Sequence, residues 1–255
     1  MTFTIENFEA YLLILVRITG FIYTAPFFSL RNVPVRIKAG LAIFMAAILF
    51  YTVPYTSPEY ESVIEYAILA VKEAIAGAVM GFFANIAYQI VAYAGEIIDM
   101  EIGFSMVSEF DPTTNIQTTI TANFYGYLVL LMMLITNLHH YFIRAIIDSF
   151  QVVGLGDVVL NPGTYHLMVK YLTDYFKIGF RIVLPVYAAI LVVNTILAII
   201  SKIAPQMNMF VIGMQLKIFV GLIVLALIVE LIPSVADFIF NEMIELLKDS
   251  IALLH

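Results

Sequence analysis

The chain has 255 residues, 62% of them hydrophobic, with a mean hydropathy of +0.99, a net charge of −7 and no cysteine. So apolar a composition, against roughly 45–50% in soluble domains, excludes a soluble monomer, and the lack of cysteine excludes a disulfide framework or a thiolate metal site. Its basic residues are scattered singly, which excludes nucleic acid as a partner, because that binding needs clustered cations to displace counterions.

No long polar linker interrupts the chain, so one integrated helical body is expected. Met1 to Glu9 lacks the basic region and cleavage site of a secretory signal, so the first apolar stretch is expected to stay in the mature protein. Tyr11 to Phe28 reads as a short span. The loop Ser29 to Lys38 carries Arg31, Arg36 and Lys38, which places it on the cytoplasmic side. Leu41 to Val53, about 13 residues or roughly 20 Å as a helix, is too short to cross a roughly 30 Å hydrocarbon core alone. Pro54 to Glu65 is acidic, with Glu59, Glu61 and Glu65, and reads as the opposite side.

Val63 to Met100 is a near-continuous helical pattern with a stripe of small residues, Ala70, Ala74, Gly77, Ala78, Gly81 and Ala84. Gly77 and Gly81 form a GxxxG step that admits a second helix backbone to backbone. A break follows at Gly103 to Thr114, with a turn at Asp111-Pro112. A helix is expected over Thr121 to Phe150, then a loop over Gly154 to Gly163. Thr164 to Leu184 is helical, and Pro185 is expected to kink it or divide it from the run to Ile200. Ser201 to Asn208, with Lys202 and Pro205, turns the chain into a second apolar helix, Met209 to Ile232, completing a hairpin. Ser234 to Leu254 is amphipathic, with Ala236, Ile239, Met243, Leu246 and Leu254 on one stripe. Its polar face is mainly acidic, so it is expected to pack against protein rather than anionic lipid.

Eight charges, Glu73, Glu96, Asp99, Arg144, Asp148, Arg181, Lys217 and Glu230, sit inside apolar stretches. Each would cost about 2.5–3.5 kcal/mol at a lipid-facing helix centre, so they are expected to face protein or water as buried polar or docking groups. Arg144 and Asp148 lie one turn apart and could neutralise each other. Glu96, Asp99 and Gly103 share a face leading into the break, which reads either as a polar-lined passage obstructed by the Gly103 to Thr114 loop or as plain packing. His139, His140 and Asp148 suggest a metal, but adjacent helical residues point about 100° apart and cannot easily serve one ion. Gly103-Phe104-Ser105-Met106 lacks the base and glycines of a nucleophile turn. No catalytic centre, metal or cofactor is expected. Met106, flexible and polarisable, could help form a compliant seal.

Ala25-Pro26-Phe27-Phe28-Ser29 with Val33-Pro34 and Lys38 resembles the N-terminal signature of the FliR family, the R subunit of the flagellar type III export gate. Gly103-Phe104-Ser105 leading to Asp111-Pro112 is similar to that family too. So is the hairpin Ala204-Pro205-Gln206-Met207-Asn208-Met209-Phe210-Val211-Ile212-Gly213 with Leu216-Lys217-Ile218 and Gly221. The resemblance implies an all-α membrane protein with broken helices and a C-terminal hairpin, built to pack into a hetero-oligomeric ring. It implies a P-like region over 1–182 and a Q-like region over 183–255. Its implied partners are P-type and Q-type gate subunits, A-type and B-type export proteins, unfolded export substrates and the bacterial inner membrane of the flagellar basal body. With no C-terminal extension present, a separate B-type protein is expected. Gly103, Phe104, Ser105, Met106, Phe110, Asp111 and Pro112 would plug the channel, and the turn with Lys202, Pro205, Gln206 and Met207 would face the cytoplasmic entrance. Injectisome gate subunits share this architecture. A small-molecule transporter would also have broken helices and midplane charges, but no inverted repeat is visible.

Overall fold

The computed structural model of the chain describes residues 5–30, 33–53, 55, 60–104, 109–111, 116–159 and 163–254. Among them the helices are α1 (Ile5–Thr24), α2 (Val35–Thr52), α3 (Val63–Ile102), α4 (Ile120–Ile135), α5 (Leu138–Val152), α6 (Gly163–Ile203), α7 (Met209–Ile228) and α8 (Ile232–Ala252). The fold is helical as expected, with one small addition inside the break after α3. There β1 (Glu109–Asp111) pairs antiparallel with β2 (Ile116–Thr118), Phe110 opposite Gln117. The chain gathers into two compact units, residues 1–88, 134–171 and 240–255 in one, residues 89–133 and 172–239 in the other.

In the first unit α1 buries Ala10, Leu13, Ile14, Ile18, Phe21 and Ile22, a set spaced by threes and fours along one face. The helix ends in a tight turn, where Ala25 N–H donates to Phe21 O and Ser29 N–H to Ala25 O. Phe27 takes φ 69° within that turn, an uncommon conformation for a bulky side chain. α1 meets α3 through glycines on both helices. A Cβ on Gly20 would lie 2.5 Å from the Ala74 carbonyl oxygen, one on Gly77 would overlap the Arg17 carbonyl, and one on Gly81 would lie 2.7 Å from Ala25 N. The two backbones touch because no side chain stands between them.

α2 differs from expectation. It begins at Val35 rather than Leu41 and has 18 residues, about 27 Å, long enough to approach the bilayer core thickness. Pro34 explains the early start: its ring holds φ near −55°, and its missing N–H is no loss at a helix entry. Arg36 and Lys38 therefore belong to the first turns of the helix instead of a loop. Lys38 is buried, donating from Nζ to Ser29 O at 2.9 Å over the Tyr23 ring.

Two interior signals also played out differently. The helix expected over Thr121 to Phe150 is broken at Thr136–Asn137, where Asn137 adopts φ 59°, a left-handed conformation that asparagine tolerates better than most residues. Of the two outcomes expected at Pro185, a kink or a division, the division does not occur: α6 runs through it for 41 residues. A proline removes a single donor, and the rest of a long apolar helix and its neighbours can absorb that. At the hairpin, α6 runs to Ile203 and the turn contracts to Ala204–Asn208, where the Asn208 side chain accepts from Phe210 N–H. α8 buries the expected stripe, including Ala236, Ile239, Met243 and Leu246, while Asp237, Glu245 and Lys248 are exposed.

Among the described residues four helical stretches could, by length and composition, cross a membrane: Val35–Thr52, Val63–Ile102, Met168–Ile203 and Met209–Ala252. A fifth arises if α4 and α5 count as one broken span. α1, expected as a span, is not among them; it carries Glu6, Glu9 and Arg17 and turns its apolar face into protein. Replacing Gly77 with valine should destabilise the detergent-solubilised chain by about 1–3 kcal/mol, as at other overpacked sites, and lower its thermal midpoint accordingly. Gly40→Ala, where a Cβ meets nothing within 4 Å, should leave it unchanged or slightly raised.

Candidate functional site

The interruption between α3 and α4 is built from both of its ends. Gly103 closes α3 with φ 101°, a conformation open to glycine and rarely to others, and its N–H donates to Asp99 O at 3.0 Å. Phe104 follows, half-buried. The β1–β2 pair then carries the chain out and back, with Phe110 and Asp111 in β1. Ser105, Met106 and Pro112 lie outside the described residues. Asp99, fully buried one turn before Gly103, reaches across to the start of α4. Its Oδ2 accepts from Thr121 N–H at 2.7 Å and its Oδ1 accepts from the Thr121 hydroxyl. Beside this pair Gly95 lets the Ala122 backbone come close, with Ala122 N 2.6 Å from where a Cβ would stand. The carboxylate thus satisfies an orphan N–H at a helix entry and matches the positive end of the helix dipole.

In the other unit a buried charge pair does related work at a helix exit. Glu73 and Arg17 are 0% and 1% exposed. The guanidinium engages the carboxylate in bidentate fashion, through Nε to Oε2 and Nη2 to Oε1, the latter at 3.0 Å. Its remaining donors reach Ser149 O, Val153 O and Gly154 O at 3.1–3.2 Å, and Gly156 N–H donates to Glu73 Oε1 at 2.8 Å. The Phe150 ring lies 4.2 Å from the guanidinium carbon. A cation at the last carbonyls of α5 suits the negative end of that helix. Sequence reasoning singled out Glu73 and missed Arg17, although a lone arginine in the middle of an apolar helix was a signal of the same kind. Thr121, the partner of Asp99, offered no signal.

The other charges expected in the apolar stretches lie elsewhere. Glu96, Arg144, Asp148, Arg181 and Glu230 are exposed, and Lys217 is half-buried. Among the described residues no ion pair joins Arg144 and Asp148; Asp148 instead borders a cavity of about 240 Å³ with Lys248 and Leu247. Lys217 lines a cavity of about 390 Å³ with Glu101, Gly103, Asn194 and Met209, near the start of the break. His139 and His140 have ring centroids 4.1 Å apart, with Phe27 5.8 Å from His139. The hairpin residues Lys202, Pro205, Gln206 and Met207 are all exposed.

A family model described as "Bacterial export proteins, family 1" matches residues 8–243. The chain belongs to this family, the FliR family. Its relatives include the flagellar biosynthetic protein FliR of Bacillus subtilis, 35% identical over 256 residues, which cover 99% of this chain and 98% of that protein. The FliR of Escherichia coli is 31% identical over 93% of this chain and 91% of its own length. That of Aquifex aeolicus is 26% identical over 85% and 83%. The similarity to FliR proteins therefore spans both compact units and the interruption, not one motif.

The buried pair makes a measurable demand on stability. Arg17→Met should destabilise the chain by about 3–5 kcal/mol, because it leaves Glu73 charged and unpaired in an apolar interior. The double variant with Glu73→Leu should recover much of that loss in thermal unfolding of the purified protein. A single Arg17→Met variant as stable as the parent would contradict the assignment.

Proposed function

We propose that the chain is a non-enzymatic subunit of the flagellar protein export gate in the bacterial inner membrane, where it helps form and close a channel for unfolded export substrates. The observation that carries this reading is the family match over nearly the whole chain, with a backbone interruption between two apolar helices of the kind such a closure needs. Irregular backbone at membrane depth is tolerated where it is buried in protein or lines a water-filled passage. In this reading residues 1–182 are the P-like region and 183–255 the Q-like region. One copy completes a ring with P-type and Q-type subunits, and A-type and B-type export proteins act on the same machine.

Residues Gly103, Phe104, Ser105, Met106, Phe110, Asp111 and Pro112 form the plug. The exposed charges Glu96, Arg144, Asp148, Arg181 and Glu230, costly against lipid, dock neighbouring subunits. The turn with Lys202, Pro205, Gln206 and Met207 faces the cytoplasmic entrance. Energy for transport comes from other components. Exposed apolar side chains such as Phe44, Phe180, Phe219 and Leu227 then divide between lipid and protein neighbours.

Co-expression with P-type and Q-type subunits should give one large assembly of defined mass containing a single copy of this chain. A monodisperse chain that ignores those subunits would restore the transporter reading. In assembled complexes, deleting residues 104–110 should raise membrane ion conductance. Unchanged conductance would remove the plug role.

A further inference from the structure

We infer that the cavity between the last turn of α3, α6 and the first turns of α7 is a lipid headgroup site, suited to a zwitterionic phospholipid with a primary ammonium, of the phosphatidylethanolamine kind. The inference rests on the reading of the chain as a membrane protein and goes beyond its role in the gate. The cavity, of about 390 Å³, lies within one compact unit, and every residue lining it is a described one. That volume is in the range of small-molecule sites, which are mostly apolar with a few convergent polar groups. Three polar side chains converge here, Glu101, Asn194 and Lys217, each half-buried. Among the described residues none of the three has a hydrogen-bond or ion-pair partner, and no ion pair joins Glu101 to Lys217. A carboxylate and an ammonium partly withdrawn from water and held apart carry desolvation costs that a ligand can relieve.

The arrangement of these groups selects the ligand. Glu101 belongs to the last turn of α3, whose negative pole favours a cation. Met209 and Phe210 open α7, whose positive pole favours an anion, and Lys217 stands about two turns further along. Asn208 accepts from Phe210 N–H, so an anionic oxygen is left to Lys217 in the field of that pole. An anion alone would confront Glu101, a cation alone would confront Lys217, and an apolar guest would leave both unpaired. A group that joins an ammonium to an anionic oxygen satisfies both, and the Asn194 amide can donate to the one and accept from the other. A primary ammonium brings N–H donors to the carboxylate. A quaternary one is held by aromatic faces instead, and Phe210 is the single ring among the lining residues. A phospholipid carries such a group with acyl chains attached, and the same two helices have surface for the chains. Ile196, Ile199 and Ile203 of α6 and Phe210 and Val211 of α7 are exposed. The candidate spans that contain α6 and α7 are also the least buried within the chain, at 22% and 17% of their most hydrophobic windows.

The test equilibrates the purified full chain with mixed micelles holding equal amounts of phosphatidylethanolamine, phosphatidylcholine and phosphatidylglycerol with identical acyl chains, and counts retained lipids by native mass spectrometry. The expected result is one phosphatidylethanolamine per chain, preferred about tenfold over each of the others, the scale of one charge-assisted hydrogen bond. Glu101→Gln should move the preference toward phosphatidylglycerol, because the anion then meets Lys217 with no carboxylate opposing it. Lys217→Met should weaken retention of both lipids about tenfold. Equal retention of the three lipids by the parent chain would overturn the site without recourse to any variant, and so would a preference that neither substitution changes. Soluble phosphoethanolamine binding as tightly as the lipid would overturn the assignment to a lipid. Loss of the bound lipid when the chain assembles with P-type and Q-type subunits would give the cavity to a protein neighbour and overturn it as well. A chain that retains the lipid but fails to join those subunits would support the site while removing the gate reading.

Discussion

A helix that stops inside apolar surroundings leaves backbone N–H or C=O groups that no water can satisfy, and the structure of this chain turns on how that demand is met. Two helix ends meet it with buried charge of opposite sign. The carbonyls at the end of α5 receive the Arg17 guanidinium, while the first N–H groups of α4 receive the Asp99 carboxylate. In each case the sign complements the local pole of the helix dipole. The charges that first mark the sequence as unsuited to simple lipid-facing spans thus have two fates, some capping helix ends inside the protein and others remaining on the surface.

The same demand accounts for the irregular helix lengths. α3 and α6, of 40 and 41 residues, would each extend about 60 Å, twice the hydrocarbon thickness. α4 and α5 are short and separated by a two-residue break. Long helices can supply backbone groups with partners along their whole length. Short ones need outside help at their ends, and side chains of α1 and α3 provide it. Close backbone contact reinforces the arrangement wherever the caps come from: Gly77 lies against Arg17, and Gly95, one turn before Asp99, lies against Ala122. Glycine at these points allows a side chain on one helix to reach the backbone ends of another.

Much of the surface remains apolar. In the candidate spans only 17–39% of the most hydrophobic windows are buried within the chain, and the exposed faces mix large aliphatic and aromatic side chains with single charges. A lipid-facing surface would exclude the charges and a water-facing surface would exclude the aliphatics. Their mixture suits contact with other polypeptide, which can pair the charges and cover the rest.

Periodicity and composition alone determined the helical class, the break after α3, the α6–α7 hairpin and the buried stripe of α8, because each depends on local pattern: apolar spacing, a helix-breaking glycine, a turn with proline and asparagine. The small-residue step at Gly77 and Gly81 was legible for the same reason, while the helix it admits was not. Tertiary structure decided what depended on partners distant in the chain. Arg17 and Glu73 are 56 positions apart and Asp99 and Thr121 are 22 apart, so no local pattern links them. It also decided that Asn137 would break a helix where Pro185 would not, since both residues permit a break and the packing around them selects which one occurs. Local pattern states what backbone can form; only the packed chain states which buried polar groups find each other, and the interruption is held at its base by one such pair.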